Sequence, residues 1–184
     1  MRKEIMLALL VLAACNRQPE VKIKNASAEE VAAKVKQSGA AKDVRLQPGQ
    51  WQVASEMKVI EATGMPQAAA DQMKLAMARK STDLQCITAE QVNKPDVFAG
   101  KRDSGCTFDN FEMRGGKISA VMHCPSGPGG RMAMTMNGTY APSSYTVDAA
   151  MEMSGAPGGQ GMKMAMHSVG TRIGDCPAGS AAAK

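Results

Sequence analysis

Aromatic side chains are scarce in this chain of 184 residues, which has one Trp, two Tyr and three Phe. Nucleic-acid binding calls for a clustered basic face with stacking aromatics. The basic residues here are scattered, with no run longer than two, so no nucleic-acid partner is expected. Long apolar runs are missing too. The stretch Ile5–Ala14 has 10 residues, whereas a helix needs roughly 20 to cross a bilayer. Leucine and isoleucine are thin: after Cys15 there are three Leu and five Ile against 14 Met. An interior built from this composition must rely on methionine and valine. Catalytic groupings are equally hard to find. Two histidines, His123 and His167, stand without a legible Ser-His-acid set, carboxylate pair or phosphate loop. The glycine-rich stretches 127–130 and 155–159 do not sit between a strand and a helix start, so they read as loops. Neither an enzyme nor a cofactor is expected.

What is present begins at the N-terminus. Arg2 and Lys3 precede the short apolar stretch, as in a secretory signal. The stretch ends Leu12-Ala13-Ala14-Cys15, which resembles the box of bacterial lipoprotein signals. That resemblance implies removal of residues 1–14, a diacylglycerol on Cys15, and a lipid-anchored domain facing the periplasm. Asn16 in place of Asp points, by the same resemblance, to the outer membrane. Without Arg2, Lys3 and Glu4 the formal charge of +5 falls to +4, a mild excess.

Four cysteines remain, Cys86, Cys106, Cys124 and Cys176. An even number in an exported chain argues for two disulfides, and the absence of Cys-x-x-Cys argues against zinc. Residues 107–113 and 117–124 flank Arg114-Gly115-Gly116, a hairpin turn. With the turn centred on Gly115, Cys106 and Cys124 fall directly opposite each other, which leaves Cys86 for Cys176.

Residues 15–45 read as a lipid-anchored tether. Ser27-Ala28-Glu29-Glu30 is a capping box, and Val31 and Val35 follow at helical spacing, but one narrow apolar edge predicts a solvated spacer helix, with docking onto the domain as the alternative. A folded domain is expected over 46–177, with a disordered tail at 178–184. After Pro48-Gly49, the residues Trp51, Val53, Met57 and Val59 predict a strand. Pro66 to Lys80 predicts a helix with Ala69, Met73, Ala76 and Met77 on one face. Residues 84–87 predict a short strand carrying Cys86, followed by a brief helical turn.

The clearest pattern is Met132-x-Met134-x-Met136, then Met151-x-Met153, then Met162-x-Met164-x-Met166. Residues two apart on a strand share a face, so apolar and polar positions alternate as in a sheet with one wet face. Pairing Tyr140 with Tyr145 sets Met132 opposite Met153 and Met134 opposite Met151; a similar register sets Met162 beside Met153 and Met164 beside Met151. Three uses of this face follow from the chemistry. It is core packed under the Met73/Met77 helix, or the wall of a pocket for a small apolar ligand, or a Cu(I) site. In the last case Met132, Met134, Met151, Met153, Met162 and Met164 would be soft donors assisted by His123 and His167.

Leu46-x-Pro48-Gly49-x-Trp51, Cys86 followed by Thr88, Cys106 and Cys124, Gly138-Thr139-Tyr140 and Arg172-Ile173-Gly174-Asp175-Cys176-Pro177 resemble proteobacterial proteins of the domain of unknown function 3617. The resemblance spans residues 46–177. It implies a periplasmic or lipoprotein setting and four paired cysteines, and it brings no activity. The fold expected is α+β and mainly β: a curved antiparallel meander of about six strands with the 66–80 helix covering part of one face, a small up-and-down barrel being the alternative. The function expected is a non-enzymatic envelope module for a small apolar ligand or a partner protein, with a periplasmic copper-binding protein as the alternative.

Overall fold

The computed structural model describes residues 19–92, 105–126, 129–156 and 159–179. The signal segment, Cys15 and the tail beyond 179 lie outside them.

Eight strands form one antiparallel sheet. In chain order they are β1 (Glu20–Ser27), β2 (Gly49–Thr63), β3 (Arg79–Ile87), β4 (Thr107–Arg114), β5 (Lys117–Pro125), β6 (Arg131–Ala141), β7 (Ser144–Ala156) and β8 (Gln160–Gly174). Among the described residues three α-helices accompany them, α1 (Ala28–Ser38), α2 (Gln67–Met77) and the single turn α3 (Ala89–Val92), with a 3-10 turn at Ala40–Lys42. The order across the sheet is β1-β4-β5-β6-β7-β8-β2-β3. Among the described residues no further strand pairs with β1 or β3, so the sheet is open and the barrel alternative is set aside. The expectation of about six strands was also low.

The largest correction concerns the expected tether. β1 pairs with β4 along its whole length, from Glu20 opposite Arg114 to Ser27 opposite Thr107. The capping box is present as expected: the Glu30 N–H donates to Ser27 Oγ at 3.2 Å, and the Ser27 N–H donates to the Glu30 carboxylate at 2.8 Å. These bonds hold the Glu30 carboxyl below its usual range. The helix is not solvated, however. Ala28, Val31 and Val35 are buried together with Val21, Ala26, Ala40 and Val44 against Phe108, Phe111, Met113, Ile118 and Ala120. Burying each of these valines contributes on the order of 1.5 kcal/mol or more, which offsets the marginal stability of an isolated eleven-residue helix.

The β4–β5 hairpin explains the inner disulfide. Gly115 (φ 54°) and Gly116 (φ 77°) both adopt the left-handed conformation that a two-residue hairpin turn requires. This turn pairs Arg114 with Lys117, one residue off the register expected from a turn centred on Gly115. A bulge between Phe108 and Asn110 then restores that register, so Thr107 faces His123. One step further out Cys106 meets Cys124, bridged with Cα atoms 4.2 Å apart. The second bridge joins Cys86 to Cys176, with Cα atoms 5.5 Å apart, and closes 90 residues of chain.

The helix expected over 66–80 is α2, and its buried edge lies one position from the expected one. Pro66 is its N-cap, and the helix proper runs from Gln67 to Met77. Ala70 is buried and Met73 and Met77 are half-buried, whereas Ala69 and Ala76 are exposed. α2 packs on β2, so it covers one border of the sheet and not its centre. β3 begins at Arg79 in place of the expected start near Leu84.

Candidate functional site

The sheet registers determine what shares a face. Met132, Met134 and Met136 on β6 lie opposite Met153, Met151 and Ala149 on β7, and these lie opposite Met162, Met164 and Met166 on β8. β8 continues the rows onto β2, with Met166 opposite Met57 and Met164 opposite Val59. On the other side Met122 of β5 pairs with Met134, and Ala120 with Met136. Every methionine pairing expected from the sequence is therefore present, and all eight methionines occupy one face of β6–β8.

That face also carries the core, but the core is confined to one end. α1 packs on β1 and β4, and Met136, Met122 and Tyr140 pack against the edge of the core cluster that α1 shares with β4 and β5. α2 covers β2 at the other end, where Val59 is buried and the bulged Ile60 is exposed. Between the two helices the methionines are only partly covered. Met132, Met134, Met136, Met151, Met153, Met162 and Met164 are half-buried, and Met166 is 41% exposed. Met113, beneath α1, is 0% exposed. The expectation that the face packs as core under the Met73/Met77 helix thus holds at neither level: the helix lies at the border and the methionines remain accessible.

One end of the strip is closed by aromatic rings. Tyr140 stacks on Tyr145 at 6.0 Å, and Tyr145 on Trp51 at 5.9 Å. Trp51 is fully buried, and its indole N–H donates to the Gln47 carbonyl at 3.0 Å. Gly170 lies opposite Tyr145 and leaves the space its ring occupies. Burial together with the neighbouring Tyr145 pushes the Tyr140 hydroxyl above its ordinary pKa. Between the rings and the methionines, Ser55 Oγ and Ser168 Oγ bond to each other at 3.1 Å, a self-satisfied hydroxyl pair on an apolar surface.

The opposite face is wet. One row crosses all eight strands as Lys22, Glu112, Ser119, Asn137, Asp148, His167, Glu56 and Lys80. It carries the pairs Lys22–Glu112 at 2.7 Å and Lys80–Glu56 at 3.2 Å. Shallow hollows on this side are lined by Glu112, Ser119, Asn137 and Asp148, and by Glu56, Lys58 and His167 together with Ala150 and Ala165.

Both histidines belong to the wet face, which corrects the expectation that they assist a methionine metal site. His123 Nε2 is 2.9 Å from Asp109 and His167 Nδ1 is 2.6 Å from Asp148. The reason is the two-residue period: His123 precedes the inward Cys124 and His167 follows the inward Met166. No hydroxyl or thiol hydrogen-bonds to either imidazole among the described residues. The described residues also hold no cluster of three His, Cys, Asp or Glu suited to a metal ion. No helix among them is long and apolar enough to cross a membrane.

A family model described as "Protein of unknown function (DUF3617)" matches residues 46–176. The match starts after β1 and α1, which nonetheless supply much of the core. No curated protein and no solved structure matches the chain.

Proposed function

The chain belongs to the DUF3617 family of proteins of unknown function, and from that premise we propose a lipid-anchored envelope module facing the periplasm. It has no enzymatic activity and takes an apolar ligand, or an apolar segment of a partner protein, on its methionine face. The observation that carries this reading is the accessibility of eight methionines on one sheet surface between two helices. Contiguous apolar surface of this kind marks interaction sites. Thioether side chains are flexible and polarizable, and they adapt to varied apolar shapes.

The anchor on Cys15 fits this arrangement. Residues 16–19 alone separate it from β1, and four residues reach at most about 14 Å. Thr139 shares the row of Glu20 through Arg114 and Lys117. Met132 lies seven residues along β6, about 24 Å further on. This spacing supports an arrangement in which the methionine-rich end lies on the side away from the anchor. The absence of Asp after Cys15 favours the outer membrane.

A second reading has a specific observation behind it. Met122, Met134, Met151 and Met164 lie in one row on four adjacent strands, and converging thioethers select Cu(I). Two triple variants separate the readings. Changing Met134, Met151 and Met164 to Leu keeps the surface apolar and removes three of the four donors in the row; changing them to Lys removes the apolar surface. With N-phenyl-1-naphthylamine as the apolar probe, wild type and the Leu variant should bind and the Lys variant should not. No probe binding by wild type contradicts the apolar reading. Submicromolar Cu(I) binding by wild type that the Leu variant loses establishes the copper reading in its place.

A further inference from the structure

We propose that β3 is an interface between two copies of this chain, joined edge to edge in an antiparallel register centred on Ser81. β3 is the outermost strand on its side of the sheet. Its residues Arg79 to Leu84 are all exposed, and among the described residues no strand pairs with its outer line of backbone N–H and C=O groups. Edge strands are usually guarded against such pairing by charge, and β3 carries three charged residues, Arg79, Lys80 and Asp83. Lys80 is already held by Glu56 of its own chain at 3.2 Å. Arg79 and Asp83 make no ion pair or side-chain hydrogen bond among the described residues. They are four apart, of opposite sign, and share the methionine face, because Arg79 lies opposite Met57 and Asp83 opposite Val53.

An antiparallel pair of identical strands has its two-fold axis perpendicular to the sheet, so one residue faces its own copy. Centring on Ser81 sets Arg79 against Asp83 of the second copy, and Asp83 against its Arg79. Lys80 then faces Thr82. Leu84, which is 63% exposed, faces Ala78, where the backbone is already extended. The neighbouring registers are worse. Centring on Lys80 opposes two lysines, which is unfavourable. Centring on Thr82 sets Asp83 against Ser81 and Arg79 against Gln85, and both ion pairs are lost. The charge pattern is therefore complementary to itself in one register only. The two-fold leaves both methionine faces on the same side of the joined sheet, flanked by two Arg–Asp pairs.

A single strand edge buries less than about 1,200 Å², the size of weak, reversible interfaces, so association in the micromolar range is expected. Sedimentation equilibrium of the full chain up to about 200 µM tests it. Wild type should dimerise, and Asp83→Arg should weaken the dimer about tenfold or more by opposing like charges. Arg79→Asp combined with Asp83→Arg should restore it. Ser81→Cys should give a disulfide-linked dimer on oxidation. The fold of each variant is checked by intact disulfides and by the fluorescence of Trp51, which lies on β2. A wild type that stays monomeric at about 200 µM overturns the proposal. So does an Asp83→Arg dimer as strong as wild type, or a folded double variant that fails to recover association.

Discussion

Val31→Ala combined with Val35→Ala distinguishes a structural α1 from a tether. Both side chains face the β4–β5 core and are buried at 1% and 7% exposure. The double change removes four buried carbons, at about 0.8 kcal/mol each, so about 3 kcal/mol of stability should be lost before any cavity contribution. The two sites are one helical turn apart and share neighbours, so the double variant is compared with both singles. A loss of this size lowers the thermal midpoint by roughly 6–12 °C in a domain of this length. Urea unfolding followed by Trp51 fluorescence, with both disulfides intact, gives the free energy directly. The exposed Lys34→Ala serves as control and should stay within about 0.5 kcal/mol of wild type. If the double variant also stays within about 0.5 kcal/mol, α1 is a solvated spacer and the docking described above is wrong.

Other expectations follow from particular contacts. Removing the Cys86–Cys176 bridge should cost on the order of 4.5 kcal/mol and the Cys106–Cys124 bridge about 3 kcal/mol, because the first closes the longer loop; non-reducing peptide mapping and unfolding of the two double-Ala variants check both connectivity and order. Ser27→Ala should cost about 1 kcal/mol through loss of the α1 cap. The Glu30 carboxyl is depressed in the folded state by its Ser27 bonds, so its contribution is present above the unfolded carboxylate pKa and is lost as pH falls through the lower folded value; Glu30→Gln should flatten that part of the stability–pH curve. Gly170→Ala places a methyl where the Tyr145 ring lies, so it should cost about 1–3 kcal/mol and shift Trp51 emission through the disturbed stack. Cys15→Ala should abolish acylation and move the protein from the detergent phase to the aqueous phase; a wild type found wholly water-soluble, with an unmodified N-terminus, contradicts the anchor.

The central sheet was legible because its information is local. Tyr140 and Tyr145 flank a Pro142-Ser143 turn, and strict alternation on either side leaves one register for β6 and β7. The inner disulfide was legible for the same reason, although two unforeseen features, a two-residue turn and a bulge, compensate each other to bring Cys106 to Cys124. β1 was not legible. It offers only Val21 and Ile23 in alternation before Asn25 takes a positive φ of 50°, and its burial comes from Phe108, Phe111 and Met113, far along the chain. The burial of α1 depends on the same distant residues, so a correct capping box was read beside an incorrect environment. Alternation placed the methionines on one face, but what covers a face is decided by non-local packing, and here α1 and α2 take the two borders. The position of the histidines could have been found. Their odd-even relation to Cys124 and Met166 already assigns them to the wet side.

The accessibility of the methionine face is the point on which the functional account rests, and methyl-labelled methionine NMR reads it residue by residue. With a soluble paramagnetic agent added to the full chain, the methyl signals of Met132, Met134, Met136, Met151, Met153, Met162, Met164 and Met166 should broaden strongly. The signal of Met113, buried beneath α1, should not. Adding the apolar probe should then protect the eight and leave Met113 unchanged. Eight signals as protected as that of Met113 before any probe is added would contradict the account, because the face would then be closed core with nothing left to bind.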